Sequence, residues 1–260
     1  MTLYYLQLIK ELLITDFILL KQRIFGNVLN TLIWSTSVTL ISTYVFPLLG
    51  MNTHYGSMVL IGIIVSTGVF ETFGNASMMV SDLDGERTIS YQLTLPLPGW
   101  MLMLQKTISY AIFSALLTLA ILPMGKIIMG DRLLLSAITP GKFMIAFIAT
   151  HLFCGTFSLI MAAYTANMGL ILNVWTRFLF PLWFFGGSQF DWYTLKELSP
   201  WLAYINLANP LTFVYEAIKG ASLPNGQYLP FWPCIGAVAL FSVIFLYTAH
   251  RKMQKRLDYL

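Results

Sequence analysis

Four groups of residues in this chain have the types and spacing to do chemistry. One is the charged run Ser81-Asp82-Leu83-Asp84-Gly85-Glu86-Arg87, followed by TISYQLTLPLPG. Ser81 and Asp84 have capping-box-like spacing, with Asp where Glu or Gln is usual. Pro96 and Pro98 would stop a helix reaching from there to about Leu95. A short charged helix parallel to a membrane can receive force from a partner; a solvated turn between two apolar segments is the other reading. A second group runs Pro200-Trp201-Leu202, Asn209-Pro210-Leu211-Thr212 and Glu216-Ala217-Ile218-Lys219-Gly220. Asn209 can cap, Pro210 suits the first helical position and Gly220 is a natural terminator, which predicts one helix over 210–219. Glu216 and Lys219, three apart on it, can pair with each other. Local physics makes this segment a structural plug or a re-entrant element. The third is Glu71, the only acidic residue well inside the second apolar run. An intramembrane carboxylate faces protein or water, so it is a pathway group, a helix–helix hydrogen bond or a protonated acid at a packing seam. Last come the rings of Trp34, Tyr44, Tyr164, Trp175 and Trp183, which could line a path for sugars or flat molecules. Packing and interfacial anchoring are their commoner roles.

The usual catalytic constellations are missing from the sequence. There is no H-E-x-x-H, and His54, His151 and His250 are far apart. Asp16, Asp82, Asp84, Asp131, Asp191 and Asp258 fall outside the expected span centres, so neither a zinc site nor an aspartyl pair in lipid is expected. Ser158 and Ser188 have no base nearby in sequence. Cys154 and Cys234 sit in apolar runs without metal-ligand spacing and read as small core residues. No G-x-x-x-x-G-K-[ST] loop is present to cradle phosphates. No catalytic residue and no metal are therefore assigned, and an intramembrane enzyme is disfavoured. An ion- or proton-coupled carrier buries several ionisable groups as a relay, whereas Glu71 stands almost alone.

The elements that position these residues must live in lipid. Hydrophobic residues make up 57% of the 260 residues and charged ones 10%, too few to cover a soluble globule. Backbone groups in hydrocarbon must bond to one another, and apolar runs of about 20 residues do so as helices; a β-barrel would show short alternating segments. The expected fold class is all-α, one polytopic membrane domain over 1–260. Its six spans fall at 26–48, 56–80, 101–125, 142–167, 174–190 and 231–250. Residues 1–25 read as an amphipathic interfacial helix: Leu6, Ile9, Leu13, Phe17, Leu20 and Ile24 recur at helical spacing, while Lys10, Glu11 and Lys21 interrupt any spanning run; Leu8, Leu12 and Ile18 fall off that stripe, so packing of part of it on neighbouring spans is the other reading. The same charges exclude a cleavable signal peptide. Pro200, Pro210, Pro224 and Pro230 break 191–230 into a re-entrant helical hairpin before the last span. Glycines at 56, 62, 68 and 74 rotate around a helix and read as scattered close-packing points. With both termini cytoplasmic, ten Lys and Arg residues fall on that side against five opposite, with Arg251, Lys252, Lys255 and Arg256 the strongest anchor. The net charge of +4 lies beside spans, where it orients the chain and meets anionic lipid; no nucleic acid is expected.

Three series taken in order resemble the membrane subunits of type-2 ABC exporters. They are Glu86-Arg87 after the second span, Phe180-Pro181-Leu182 to Gly186-Gly187 ending the fifth, and the Pro-Trp-Leu, Asn-Pro-Leu-Thr, Glu-Ala-Ile-Lys-Gly series before the sixth. Thr88-Ile89 and Gly186-Gly187 depart from the Gly-Thr and Ser-Gly that family members often carry. The resemblance covers nearly the whole chain. It implies that 82–97 is a coupling segment, helical from 82 to 95, which seats Asp82, Asp84, Glu86 and Arg87 in a groove of a separate ABC-type ATPase subunit. The chain would hold no cofactor of its own, ATP and Mg being bound by that partner. It would form a homodimer, or pair with a related permease, in the bacterial cytoplasmic (inner) membrane. Its cargo would be a hydrophobic or amphipathic drug, lipid or lipid-linked glycan moved by alternating access, with Glu71, Trp34, Tyr164 and Trp183 as path candidates. Asn209, Pro210, Glu216 and Lys219 would belong to the re-entrant segment.

Overall fold

Proline and glycine punctuate a chain that is otherwise helical nearly from end to end. The computed structural model describes residues 2–85, 88–94, 96–223 and 226–257. In chain order the α-helices are α1 (Thr2–Leu40), α2 (Tyr55–Asp84), α3 (Thr88–Leu93), α4 (Gly99–Thr118), α5 (Ile121–Met129) and α6 (Pro140–Tyr164). They continue with α7 (Ile171–Val174), α8 (Phe180–Phe185), α9 (Trp192–Leu198), α10 (Pro200–Asn206), α11 (Pro210–Ser222) and α12 (Phe231–Leu257). No strand occurs among the described residues. Six stretches are long and apolar enough to cross a membrane: Gln7–Leu49, Tyr55–Asp84, Gly99–Arg132, Pro140–Tyr164, Met168–Phe185 and Phe231–Arg256. Each overlaps one of the six expected spans, the first beginning far earlier, at Gln7. Two contain π-helical turns, Ile41–Val45 and Trp175–Leu179, each followed within two residues by a proline, Pro47 or Pro181. A proline ring cannot donate to the preceding turn and clashes with it, and a widened turn absorbs that misfit.

Helix α2 is the axis of the bundle, with 78% of its apolar window buried. It is apolar on nearly every face, the pattern of a helix surrounded by protein. Small residues set the closest approaches. A Cβ on Gly155 of α6 would lie 2.4 Å from the Thr107 carbonyl of α4, and one on Gly62 would lie 2.7 Å from the Ser188 carbonyl. Without a hydrophobic drive between helices in lipid, this kind of backbone contact supplies the packing. Gly56, Gly62 and Gly68 meet Thr43, Ser188 and Cys154 in turn, so the α2 glycines contact different neighbours and form no single seam.

The N-terminal helix packs on a neighbouring span, the second of the two readings its stripe allows. Residues 2–25 are the first half of α1, which passes Gly26 without a break. Contacts advance together along α1 and the third span: Leu12 packs with Leu102, Asp16 pairs with Lys106, Leu20 packs with Phe113 and Leu117, and Tyr44 donates to the Ile128 carbonyl. The two therefore run parallel. The physical reason is charge pairing. Asp16 and Lys106, 2.8 Å apart and both 9% exposed, neutralise each other, and Gln105 Nε2 donates to the same carboxylate. At 39 residues α1 is about 58 Å long against about 30 Å of hydrocarbon, so it projects beyond the membrane core or tilts within it.

Among the described residues, 191–230 contains three short helices, the third of which begins at Pro210 as expected and runs past 219. α9 is capped by Asp191, whose side chain accepts from Thr194 N; α10 starts at Pro200; and α11 is capped by Asn209, whose side chain accepts from Leu211 N. α11 continues through Gly220 to Ser222, because a glycine flanked by buried Lys219 and Ala221 is held in the helix by packing. Its Tyr215 meets Ser66, eleven residues or about 16 Å along α2 from Tyr55. The segment thus dips into the bundle, as expected for a re-entrant element.

Candidate coupling and path sites

The end of α2 organises the first site. Asp82 accepts from Thr88 N and Ile89 N, both at 3.0 Å, so its carboxylate caps α3. The expected Ser81–Asp84 capping box does not form, because α2 runs on through Asp84 and both residues are still inside it. The expected helix over 82–95 is correspondingly short: α3 spans only Thr88–Leu93. Asp84 turns inward to a different partner. Its Oδ2 accepts from Met168 N at 2.9 Å, where the fifth span begins, and its Oδ1 lies 3.7 Å from Arg256 Nη2 of α12. Arg256 in turn donates to the carbonyls of Ala162, Thr165 and Ala166, the unsatisfied acceptors at the end of α6. Four spans are therefore tied at one node beside α3. Glu86 and Arg87 lie outside the described residues. Sequence reasoning had Arg256 only as a topology anchor and missed Met168, since a backbone N–H leaves no mark in sequence.

The aromatic candidates divide. Phe70 is a hub, with ring centroids 5.1 Å from Trp34, 5.6 Å from Trp175 and 5.1 Å from Trp183. Trp183 Nε1 donates to Ser66 Oγ at 2.9 Å, and Ser66 Oγ shares a 2.8 Å hydrogen bond with Tyr215 OH. The cluster is thus joined to α11. Tyr164 does not belong to it: this residue ends α6, is 62% exposed and lies under the Lys252 ammonium at 5.6 Å. Tyr44 is also apart, its ring facing Arg132 at the opposite end. Glu71, next to the hub, is half-buried and has no hydrogen bond or ion pair among the described residues. It lies on the same side of α2 as Gly74, Met78 and Ser81, where Gly74 is also half-buried and Met78 meets Arg23 of α1.

Glu216 and Lys219 correct another expectation. They are 1% and 0% exposed and form no ion pair with each other. Lys219 Nζ donates to the carbonyls of Gly187, at 2.5 Å, and Phe190, at 2.7 Å. The Glu216 carboxylate accepts from Trp192 N and Leu229 N, both at 2.8 Å. Irregular backbone at membrane depth has to be satisfied by protein, and these two charges do that for the turns flanking the re-entrant helices. Asn209 Nδ2 adds a 2.7 Å bond to the Leu182 carbonyl, and Thr212 Oγ1 bonds Asn206.

Among the described residues no group of His, Cys, Asp and Glu could hold a metal. His151 is buried with Nδ1 on Ser114 Oγ and Nε2 on Thr118 Oγ1, and Ser158 bonds the Cys154 carbonyl.

Six apolar helical spans, a re-entrant segment and an inter-span segment tied to four of the spans define a multi-pass membrane protein of the transport-permease class. The chain belongs to the ABC-2 type transporter family, whose model matches residues 7–223 and so takes in every span but the last. It is a transmembrane subunit of an ABC transporter, a class whose permeases pair with an ABC ATPase subunit. No curated protein matches it.

Proposed function

We propose that this permease forms the path of an ATP-driven exporter and takes its force through α3, with the α3 end and both termini in the cytoplasm. The carrying observation is the Asp84 node. A push on α3 reaches α2 through Asp82, and Asp84 hands it to the fifth span, α6 and α12 together. Glu86 and Arg87, directly before α3, are the contacts offered to the ATPase, which binds ATP and Mg. Arg251, Lys252, Lys255 and Arg256 at the same end support the orientation.

Two copies, or this chain and a related permease, enclose the path. Only 11% of the fifth span's window is buried, and its Asn173, Thr176 and Arg177 are exposed. Polar groups of this kind are disfavoured against lipid and call for a protein partner or a water-filled path. Glu71 and the Phe70 cluster then face that path, and this aromatic lining with one carboxylate suits a hydrophobic or amphipathic cargo in the chemical range of drugs and lipids. Two packings of the spans, facing inward and outward, alternate as the ATPase closes.

The test is transport by the chain reconstituted in liposomes with its co-purified ATPase. ATP hydrolysis should drive transport without a proton gradient. Transport driven by a proton gradient with no nucleotide present would make the chain a secondary carrier instead.

A further inference from the structure

The short helix α10 is inside out for a segment facing water. Its inner face holds Ala203 and the polar Asn206, 0% and 7% exposed, and Asn206 Oδ1 accepts from Thr212 Oγ1 of α11. Its outer face holds Trp201, Tyr204 and Ile205, 67%, 58% and 60% exposed, and Leu198 at the end of α9 is 82% exposed. No charged residue occurs from Leu198 through Tyr215. An exposed apolar patch of this kind marks a surface that meets something other than water. The patch has a firm backing. Trp192 Nε1 of α9 donates to the Ala203 carbonyl of α10 at 2.8 Å, and Trp192, Leu195 and Ala203 form a small core between the two helices.

Two contacts fix the depth of this hairpin. Asp191 and Thr194, where α9 starts, line one cavity with His54 and Tyr55 at the start of α2, so α9 lies at the end of the bundle opposite α3. Leu229 packs on the α9–α10 core two residues before α12 begins, and Trp232 in the first turn of α12 is 64% exposed. The sixth span that follows has 11% of its window buried and exposes no polar or charged side chain from Pro233 to Ile244. The α10 patch therefore continues the lipid-facing surface of that span at the level where it enters the bilayer. Trp and Tyr beside Leu and Ile at that level match the boundary between headgroups and acyl chains. At seven residues, about 10 Å, α10 is too short to cross. Its outward side chains with Leu198 cover a few hundred Å2, less than the about 800 Å2 per partner of a standard protein interface, which favours lipid over a second copy. We infer that the α9–α10 hairpin is an interfacial anchor, with Leu198, Trp201, Tyr204 and Ile205 immersed in the leaflet opposite α3. Glu216 bonds both Trp192 N and Leu229 N, so the leaflet that holds the hairpin also sets how deep α11 reaches toward Ser66 and Trp183.

Spin labelling of the full chain reconstituted in liposomes tests this. The native Cys154 and Cys234 are buried, so a nitroxide goes to an introduced cysteine. On Ile205→Cys, collisions with dissolved oxygen should exceed those with a water-soluble nickel chelate several-fold, the reverse of Thr53→Cys, exposed in the turn before α2. A second reading uses liposomes whose lipids carry bromine on the acyl chains near the headgroup. There the fluorescence lost to bromine should be smaller in Trp201→Phe than in the wild type, by one quenched tryptophan. Size-exclusion profiles establish that the variants are folded, and the bromine reading decides the matter if Ile205→Cys is not. Nickel access at position 205 equal to that at position 53 places the patch in water and overturns the proposal. So does equal bromine quenching in wild type and Trp201→Phe. Low access to both reagents, with spin–spin broadening that vanishes on dilution with unlabelled chain, overturns it too, by making the patch a contact between two copies.

Discussion

Replacing Asp84 by alanine removes one charge-assisted hydrogen bond, to Met168 N, and one ion pair, to Arg256. A hydrogen bond to a charged group is worth about 1.5–3 kcal/mol. The ion pair is long at 3.7 Å and the Asp84 side chain is 37% exposed, so screening leaves it at most about 1 kcal/mol. The same exposure places the hydrogen bond near the bottom of its range, and the node loses about 2 kcal/mol in all. At about 1.4 kcal/mol per factor of ten, that corresponds to roughly 30-fold in any equilibrium that depends on α2 and the fifth span moving together. The expected phenotype is uncoupling. In liposomes with the ATPase, Asp84→Ala should still hydrolyse ATP while transport per ATP falls about 10- to 30-fold. Asp84→Asn keeps an acceptor for Met168 N and should fall between the two. A folded Asp84→Ala protein with the wild-type ratio of transport to hydrolysis would refute the node as the route of force.

Asp16→Asn leaves the Lys106 ammonium buried without a carboxylate and should destabilise the detergent-solubilised protein by about 3–5 kcal/mol, whereas Asp16→Leu with Lys106→Met should recover most of the loss. Thermal unfolding measures both. Gly155→Ala forces a Cβ against the Thr107 carbonyl and should cost about 1–3 kcal/mol, read as reduced folded yield. Gly26→Ala meets nothing within 4 Å and should stabilise the protein by about 0.5–1 kcal/mol with transport intact; lost transport would mean that α1 bends there.

The spans were legible because lipid imposes a length and an apolar composition that few other structures need, and all six overlap their runs. Local caps were legible for the same kind of reason: Asn209 and Pro210 carry their roles within two residues of the backbone they serve. What failed was long-range. Lys10, Glu11 and Lys21 mark residues 1–25 as an interrupted run, and nothing local in them shows that Lys106, 90 positions from Asp16, ties this helix to the third span. Glu216 and Lys219 look like a helical pair at spacing three, but orphaned backbone in the turns outcompetes a neighbour that the helix would hold at its surface. Tyr164 was grouped with Trp34 and Trp183 by residue type alone, while Phe70, the ring that joins the two tryptophans, is one Phe in an apolar run and carries no signal of its own.

Whether a polar group has found a partner separates scaffold from machinery in this bundle. Asp16, Asp82, Glu216, Lys219 and His151 all have their bonds within the chain, so each fixes one packing. Glu71 and Asn173 lie within spans without that closure among the described residues, Glu71 half-buried and Asn173 exposed. A charge in hydrocarbon costs several kcal/mol unless water or protein meets it, so these positions are tolerable only against a second subunit or an aqueous path. The satisfied half of the bundle is thus the rigid body that α3 can push, and the unsatisfied half is the face that the push opens and closes.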